Sequence, residues 1–361
     1  MAAWFLAGVA LAANPPDARG SMLSFRKLSA HSDAALGSSP MPILGELHDR
    51  LALPPNATCE VLLAVAASSV NPSDFDPAVA ADDFPRVLGS DVAALVLRAG
   101  RSCRRLAAGD RVWGDIGANA RTHRTREPTK ELGAYAPYAV ALEAQLGRLP
   151  RLLSLREGGA VPKVGLTSLK ALRWYAGAPA AWRWRRADST VLVLGGSGGT
   201  GSMGLQLAKA YGAARLITTT SAANFDYCRS LGAEVLIDYH RFDWWDESVL
   251  ADQSVDVVYD TVGQPGTGER AIRKLRAGGA YVTITGALAP LPLPPNISQA
   301  FFINSDTNLG SADLLEELAQ LFDAGKLVAP RLDSVFPLRN ISAGFARVAT
   351  RHTVGKVVIE I

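Results

Sequence analysis

Val191-Leu-Val-Leu-Gly-Gly-Ser-Gly-Gly-Thr-Gly-Ser-Met-Gly-Leu-Gln-Leu-Ala-Lys-Ala-Tyr-Gly212 runs four apolar residues straight into six glycines within ten positions. Apolar residues at helical spacing follow at Met203, Leu205, Leu207 and Ala208. This is the pattern of strand, tight turn and helix. Gly196, Gly198 and Gly201 satisfy G-x-G-x-x-G. In that motif the first glycine permits the turn, the second lets a pyrophosphate approach the backbone, and the third allows close helix-strand packing. The phosphates would rest on the helix N-terminus, where backbone N–H groups lack intrahelical partners.

The motif alone is weak, and a glycine-rich turn without a ligand is the plain alternative. Its surroundings strengthen it. Arg215 to Thr220 is a β-branched second strand, Phe225 to Leu231 a helix, and Val235 to Tyr239 a third strand. Together these make the β-α-β-α-β half of a dinucleotide fold. Val255 to Gly263 and Ala280 to Gly286 predict a fourth and a fifth strand, with a helix over Gly268 to Leu275 between them. Four prolines between Pro290 and Pro295 predict a loop, and Ser311 to Ala324 predicts a helix. The chain closes on Gly355-Lys-Val-Val-Ile-Glu-Ile361, a strand expected to return to the first half of the molecule.

That first half reads differently. From Ser24 to Leu51 there is little periodicity. Cys59 to Asp74, Val87 to Leu97, Gly109 to Gly114 and Gly133 to Val140 are then short strands broken by Gly, Pro and Asp turns, which suggests a β-rich domain. Asn119 to Glu131 interrupts it as a polar, basic loop, and Ala160 to Leu172 is a helix leading into the dinucleotide core.

At 361 residues the chain is long enough for two domains. A hydrophobic content of 48% with 20% charged residues describes a soluble globular protein. Net charge is +3, and the basic, Trp-interleaved cluster Arg183 to Arg186 is read as a solvated loop, so no nucleic-acid partner is expected. Cys59, Cys103 and Cys228 are odd in number and widely spaced, and are read as buried small residues in a reducing compartment, without a disulfide framework. Ala2 to Ala13 is an apolar run of signal-peptide length without a preceding Lys or Arg, and is too short to span a bilayer. A targeting segment, a coding start at Met22 and a disordered tail all fit it. The location is accordingly cytoplasmic or organellar, in a mitochondrion or plastid.

Several stretches, taken in order, resemble the medium-chain dehydrogenase/reductases in their zinc-independent, quinone oxidoreductase-like branch. They are Ala67-Ser-Ser-Val-Asn-Pro-Ser-Asp74, Leu88-Gly-Ser-Asp91, Gly109-Asp-Arg-Val-Trp113, Gly133-Ala-Tyr-Ala-Pro-Tyr138, Pro162 with Gly165-Leu-Thr167, the Gly196 to Gly201 loop, Leu231 to Tyr239, Asp323 to Leu327 and Gly355 to Val358. The spacing is closest to mitochondrial reticulon-4-interacting and plastid alkenal/quinone reductase members. The resemblance implies an α/β fold: a Rossmann doubly wound parallel sheet over 161–327, plus a GroES-like β-rich domain over 26–160 completed by 328–361. Residues 1–25 would form the targeting segment or tail. It also implies a cofactor in the cleft between domains, reduction of a quinone or an activated carbon-carbon double bond, and room for a homodimer. Zinc-dependent relatives carry Cys and a His-Glu pair where this chain has Asn71 to Asp74 and Ser90-Asp91, and Ser with a lone Asp is a poor zinc site. A short-chain dehydrogenase is disfavoured because no Tyr is followed four residues later by Lys.

An NAD site presents Asp or Glu to the ribose about twenty residues beyond the loop. Here that tip is Thr218-Thr-Thr-Ser221, with no acid before Asp226. A carboxylate would repel a 2′-phosphate, so its absence favours NADPH. The resemblance places the cofactor on Gly196, Ser197, Gly198, Gly199, Thr200 and Gly201, with the 2′-phosphate at Ser221 and Tyr239, near Asn224. It puts Thr261 and Ile284 on the nicotinamide side and His352 near the last strand. Tyr239 could equally just end a strand, and a lone His is more often a surface residue. The substrate oxygen that gathers charge after hydride transfer needs donors. Asn71 and Thr167 are the candidates by resemblance; turn formation before Pro72 and helix packing are the alternatives. Lys163 stands where relatives carry an apolar residue, so it either charges the site or faces solvent. A cofactor-binding regulatory or scaffold protein with little turnover is the alternative function.

Overall fold

Short apolar and β-branched runs separated by Gly, Pro and Asp fold the first half of the chain into strands. A computed structural model describes residues 21–27, 33–40, 42, 59–75, 86–116, 133–302, 304 and 311–361. Met1 to Gly20 and the Asn119 to Glu131 loop lie outside the described residues. β1 (Ser21–Lys27) and β2 (Ala35–Pro40) form an antiparallel hairpin in a stretch with no evident strand pattern. β3 (Glu60–Ser69) pairs antiparallel with β5 (Asp91–Ala99), and β4 (Arg86–Val87) edges β1. β5 continues onto β6 (Arg111–Asp115) and β6 onto β8 (Leu146–Arg148). β7 (Tyr138–Leu142) covers the first half of the free edge of β3.

α1 (Leu155–Gly158) begins at Ser154, whose hydroxyl accepts from Glu157 N–H while the Glu157 carboxylate returns to Ser154 N–H. α2 (Pro162–Lys170) then passes between the two halves of the protein, and all nine of its residues are buried. It ends in a wide turn at Ala171–Tyr175. Arg183 to Arg186 is not the solvated loop expected. A one-turn helix, α3 (Trp182–Arg185), forms there because the Trp184 ring is buried and its Nε1 donates to the Ala176 carbonyl at 2.8 Å.

The second half builds one parallel sheet. Its strands are β9 (Thr190–Leu194), β10 (Arg215–Thr220), β11 (Val235–Asp238), β12 (Val255–Asp260), β13 (Leu275–Thr283) and β14 (Ser298–Phe301), in the order β11-β10-β9-β12-β13-β14. Strand order reverses at β9, the topological switch point where open α/β sheets bind ligands. α4 (Gly199–Ala210) follows β9, α5 (Phe225–Ser230) follows β10 and α6 (Thr267–Lys274) precedes β13. β14, too polar to show in the sequence, adds a sixth strand. α7 (Ala312–Asp323) leads to β15 (Leu332–Pro337), α8 (Ile341–Ala349) and β16 (Lys356–Glu360). β16 returns to the first sheet as expected, lying parallel to β15 and antiparallel to the end of β3. No helix among the described residues is long and apolar enough to cross a membrane.

The cysteines depart from expectation. Cys59, at the start of β3, and Cys103, in the β5–β6 turn, are disulfide-bonded, with their Cα atoms 4.8 Å apart. The chain positions hid the pair because β3 and β5 are antiparallel neighbours and bring the two residues together across the sheet. Glu143 fixes the same turn: its carboxylate accepts the backbone N–H groups of Arg104, Arg105 and Leu106. Cys228 is buried as expected, and burial pushes its thiol up to about 11.

Candidate active site

The C-terminal ends of β9 to β13 share one rim, and the glycine loop stands at its centre. Gly198 caps α4, a twelve-residue helix with no acidic side chain in its first turn, so its exposed amides and dipole face the rim without competition from a carboxylate. A methyl group on Gly198 would meet nothing closer than 3.5 Å, so this position is open to an approaching group. The loop is braced from both sides. Gly196 N–H donates to the Thr219 carbonyl at 3.1 Å, Thr220 Oγ1 to Ser197 Oγ at 2.9 Å, and Ser168 Oγ to the Thr200 carbonyl at 2.8 Å.

The other cofactor candidates lie on the same rim. Ser221 follows β10 and Tyr239 follows β11, and the parallel register of Thr220 with Asp238 sets them side by side. Asn224 Nδ2 donates to Ser221 Oγ at 3.0 Å, and Tyr239 is 46% exposed, leaving its ring available. His240 and Arg241, both exposed, come next, and Arg241 puts a cation near the tip that chain order had left without one. The Asp238 carboxylate turns to accept the His240 N–H at 3.1 Å. Thr261 Oγ1 donates to the Leu194 carbonyl at 2.7 Å, and Ile284 N–H donates to the Asp260 carbonyl. Thr261 therefore borders the exit of β9, and Ile284 that of β12. His352 is exposed and stands three residues before Gly355, whose N–H donates to the Ser197 carbonyl at 2.8 Å.

Across the rim, β16, β3, β5, β6 and the first turn of α2 enclose a cluster of buried charges. Asp91 is its hub. Asp91 Oδ2 accepts from Ser69 Oγ at 2.6 Å and Asn71 Nδ2 at 2.7 Å, and lies 3.5 Å from Lys356 Nζ. Asp91 Oδ1 accepts Lys163 N–H at 2.6 Å, so a carboxylate on β5 caps the N-terminus of α2. Lys356 Nζ donates to Asn71 Oδ1 at 2.6 Å and to the Val70 carbonyl at 3.2 Å, and its methylene stem lies over Gly199. Burial pushes the Lys356 ammonium below its usual range, and Asp91 and Asp74 partly oppose this.

Asn71 sits before Pro72 with φ −120° and ψ 152°, the extended geometry that a following proline favours. Its N–H donates to Asp74 Oδ2 at 2.8 Å, and Tyr135 Oη donates to the same oxygen at 2.7 Å. A lysine can only donate and a carboxylate only accept, so the amide of Asn71 has its oxygen toward Lys356 and its nitrogen toward Asp91. Thr167 is buried one helical turn beyond Lys163, and its hydroxyl donates to the Lys163 carbonyl at 2.6 Å. Both candidates are buried, with hydrogens directed at protein acceptors.

Lys163 does not face solvent. Its Nζ lies 3.3 Å from Asp115 Oδ2, with the two side chains 10% and 0% exposed. Asp115 Oδ2 also accepts Asn304 Nδ2 at 2.9 Å, and Asn304 Oδ1 accepts Lys170 Nζ at 2.7 Å. Asp115 Oδ1, fully buried, has no hydrogen-bond partner among the described residues. Burial raises the Asp115 carboxyl to about 6 despite the opposing pull of Lys163. Asp91, Asp115 and Lys356 escaped the list of sequence candidates because their partners are distant in the chain. Lys356 and Asn71 are 285 residues apart. A single lysine opening the apolar run Val357 to Ile359 was the available signal.

One further group of potential ligands exists among the described residues, Cys59, Cys103 and Glu143. Its sulfurs are bonded to each other and its carboxylate holds the neighbouring turn, so it is not a ligand set as folded.

Comparison with known proteins agrees with the fold. Residues 57–151 match the alcohol dehydrogenase GroES-like domain and residues 231–359 the family described as zinc-binding dehydrogenase. The chain is 33% identical to 2-methylene-furan-3-one reductase of Solanum lycopersicum, over 87% of this chain and 75% of that one. It is 30% identical to the chloroplastic NADPH-dependent alkenal/one oxidoreductase of Arabidopsis thaliana over the same shares. Among solved structures, an alcohol dehydrogenase superfamily protein from Novosphingobium aromaticivorans superposes with a TM-score of 0.75 at 26% identity, covering 94% of this chain and 99% of that one.

Proposed function

The chain belongs to the medium-chain dehydrogenase/reductase family, in its quinone oxidoreductase-like branch, and on that premise we propose that it reduces a quinone or the activated C=C bond of an α,β-unsaturated carbonyl, using NADPH. The observation that carries this reading is the rim itself. An acid-free helix N-terminus with an open glycine lies across from a cluster of buried charges on the other sheet, whose Lys356 stem reaches Gly199.

The bound nicotinamide would supply the hydride; the chain's own residues bind, orient and exclude water. Gly196, Ser197, Gly198, Gly199, Thr200 and Gly201 take the pyrophosphate. Ser221 and Tyr239 take the 2′-phosphate, with Arg241 supplying positive charge nearby. Thr261, Ile284 and His352 border the remainder. A reaction without zinc is supported by the donor set, because both oxygens of Asp91 are taken up by protein donors and Ser90 and Asn71 are weak ligands. Asn71 and Thr167 shape the substrate side: Asn71 fixes Lys356 against Asp91, and Thr167 fixes the first turn of α2.

The test is NADPH oxidation, followed by nicotinamide absorbance, against a panel of quinones and 2-alkenals, beside NADPH and NADH titrations. Turnover with at least one acceptor and tighter NADPH binding are expected. Ser221→Asp should reverse the cofactor preference, weakening NADPH by about tenfold or more, because a carboxylate at the β10 tip repels the 2′-phosphate and accepts from a 2′-hydroxyl. Equal binding of both cofactors by the unaltered chain would sink the NADPH assignment. Absence of turnover on every acceptor would sink the reaction.

A further inference from the structure

We propose that Lys163 is the catalytic proton donor of the reduction, with Asp115 as the positioning residue that holds its ammonium at the cleft. This rests on the reductase reading above. The family resemblance offers two residues as donors, Asn71 and Thr167. Asn71 Nδ2 is directed at Asp91 Oδ2, and the Thr167 hydroxyl is directed at the Lys163 carbonyl. Reaching a substrate oxygen would require Thr167 to abandon its only hydroxyl hydrogen bond among the described residues, at 2.6 Å, and would leave Asn71 to offer a second amide hydrogen that the Ser69 carbonyl meets at 3.2 Å.

Lys163 is placed differently. It is the second residue of α2, the helix buried between the two sheets. Its N–H is anchored on Asp91, and Ser168, one turn further along, is bonded to the glycine loop. Its side chain keeps 10% exposure while Asp115 has none, so Lys163, not the carboxylate, is the member of the pair that reaches the surface. A buried ion pair gains little stability over apolar side chains of the same volume, so its presence at a cleft calls for another reason. The pair is also incomplete, because Asp115 Oδ1 lacks a partner among the described residues, in a structure where buried oxygens are otherwise almost all bonded. The groups facing Asp115 are Asp91 from β5, Lys163 and Lys170 from α2, and the neutral amide of Asn304; Lys356 from β16 completes the cluster around Lys163. Burial has already moved the Asp115 carboxyl to about 6, within reach of working pH.

The chemistry balances. Hydride delivery to the substrate by the reduced nicotinamide places an electron pair on the conjugated carbonyl oxygen. One N–H bond of Lys163 breaks as an O–H bond forms on that oxygen. Lys163 is left neutral beside Asp115 and regains its proton from solvent. A quinone leaves as the quinol, and an enone leaves as the enol, which exchanges its O–H for a C–H in water.

The experiment compares Lys163→Met, Lys163→Arg and the doubly neutral Lys163→Met/Asp115→Asn protein with the unaltered chain. NADPH affinity is read by nicotinamide fluorescence and kcat is read across pH 5 to 9. The double variant guards against a folding defect, because it removes both charges of the Lys163–Asp115 pair together. Both methionine variants should bind NADPH normally yet lose about a hundredfold or more in kcat, the size expected for a lost general acid. Lys163→Arg should recover a large part of that loss. In the unaltered protein kcat should fall on the acid side near pH 6, as Asp115 is neutralised and releases Lys163, and Asp115→Asn should remove that limb. A Lys163→Met protein whose kcat stays within threefold of the unaltered enzyme, with the same pH profile, overturns the proposal and leaves the reductase reading intact. An unaltered chain that turns over no acceptor overturns both.

Discussion

Gly201→Ala is expected to abolish NADPH binding at any practical concentration, raising Kd by about a hundredfold or more and lowering Tm by several degrees. The added methyl group would be driven into the Gly195 carbonyl and would sit 3.0 Å from Gly196 Cα. These are backbone atoms on the exit of β9, so no side chain can swing aside. The only relief is to move α4 away from the sheet. That costs about 1–3 kcal/mol as overpacking and carries the helix N-terminus off the phosphate position. Gly198→Ala is the informative companion. Its methyl group would have 3.5 Å to the nearest atom, so the fold should keep its Tm while the phosphate loses its space. A drop in affinity without a drop in stability at 198, and a drop in both at 201, separates the ligand's need from the packing need. Calorimetric titration and thermal unfolding of the two variants measure this. A Gly201→Ala protein that binds NADPH within threefold of the unaltered chain would refute the placement of the pyrophosphate.

The same contrast between local and distant structure explains what the chain itself could tell. The loop from Gly195 to Gly201 and its flanking strand and helix are contiguous, so periodicity and glycine spacing described them before any fold was known. β10, α5, β11, β12 and α6 followed for the same reason, each a run of residues whose own pattern names its conformation. The charged cluster has no such signature. Asp91, Asp115 and Lys163 look like ordinary polar residues at strand ends and a helix start, and only the closing of β16 onto β3 brings Lys356 to Asn71 and Asp91. The disulfide between Cys59 and Cys103 was lost to the same cause, since pairing across antiparallel strands leaves no trace in spacing. Trp184 was misjudged because its neighbours are four arginines and tryptophans that look solvated, while the decisive bond is to the Ala176 carbonyl. In the candidate site, resemblance supplied Asn71 and Thr167. The direction of their hydrogens was legible only from their partners.

Asp91→Ala is expected to be the most destabilising single change in the cluster. The carboxylate accepts from Ser69, Asn71 and the N-terminus of α2, and it lies 3.5 Å from the Lys356 ammonium. Removing it strands an ammonium that is only 5% exposed, with Asn71 Oδ1 and the Val70 carbonyl as its remaining acceptors. Breaking a buried pair from one side typically costs about 3–5 kcal/mol, which for a chain of this size corresponds to a fall in Tm of roughly 5–10 °C. The pH dependence has a definite sign. Burial already lowers the affinity of Lys356 for its proton in the folded state, and Asp91 is the main opposing influence. Without Asp91 that lowering deepens, so below the ordinary lysine range the unfolded chain holds more protons than the folded one. Stability of the variant must then rise with pH, and its deficit should shrink between pH 7 and pH 9. The second change Lys356→Met removes the stranded charge and should return part of the loss. Thermal unfolding of the two single variants and the double one, at both pH values, completes the cycle. Strict additivity, or an Asp91→Ala deficit that grows with pH, would show that Asp91 and Lys356 are neighbours without being partners. A coupling of about 1–2 kcal/mol that weakens as the lysine loses its proton would establish that the strand carrying Lys356 is held to the catalytic domain by charge, at the point where its backbone also touches the glycine loop.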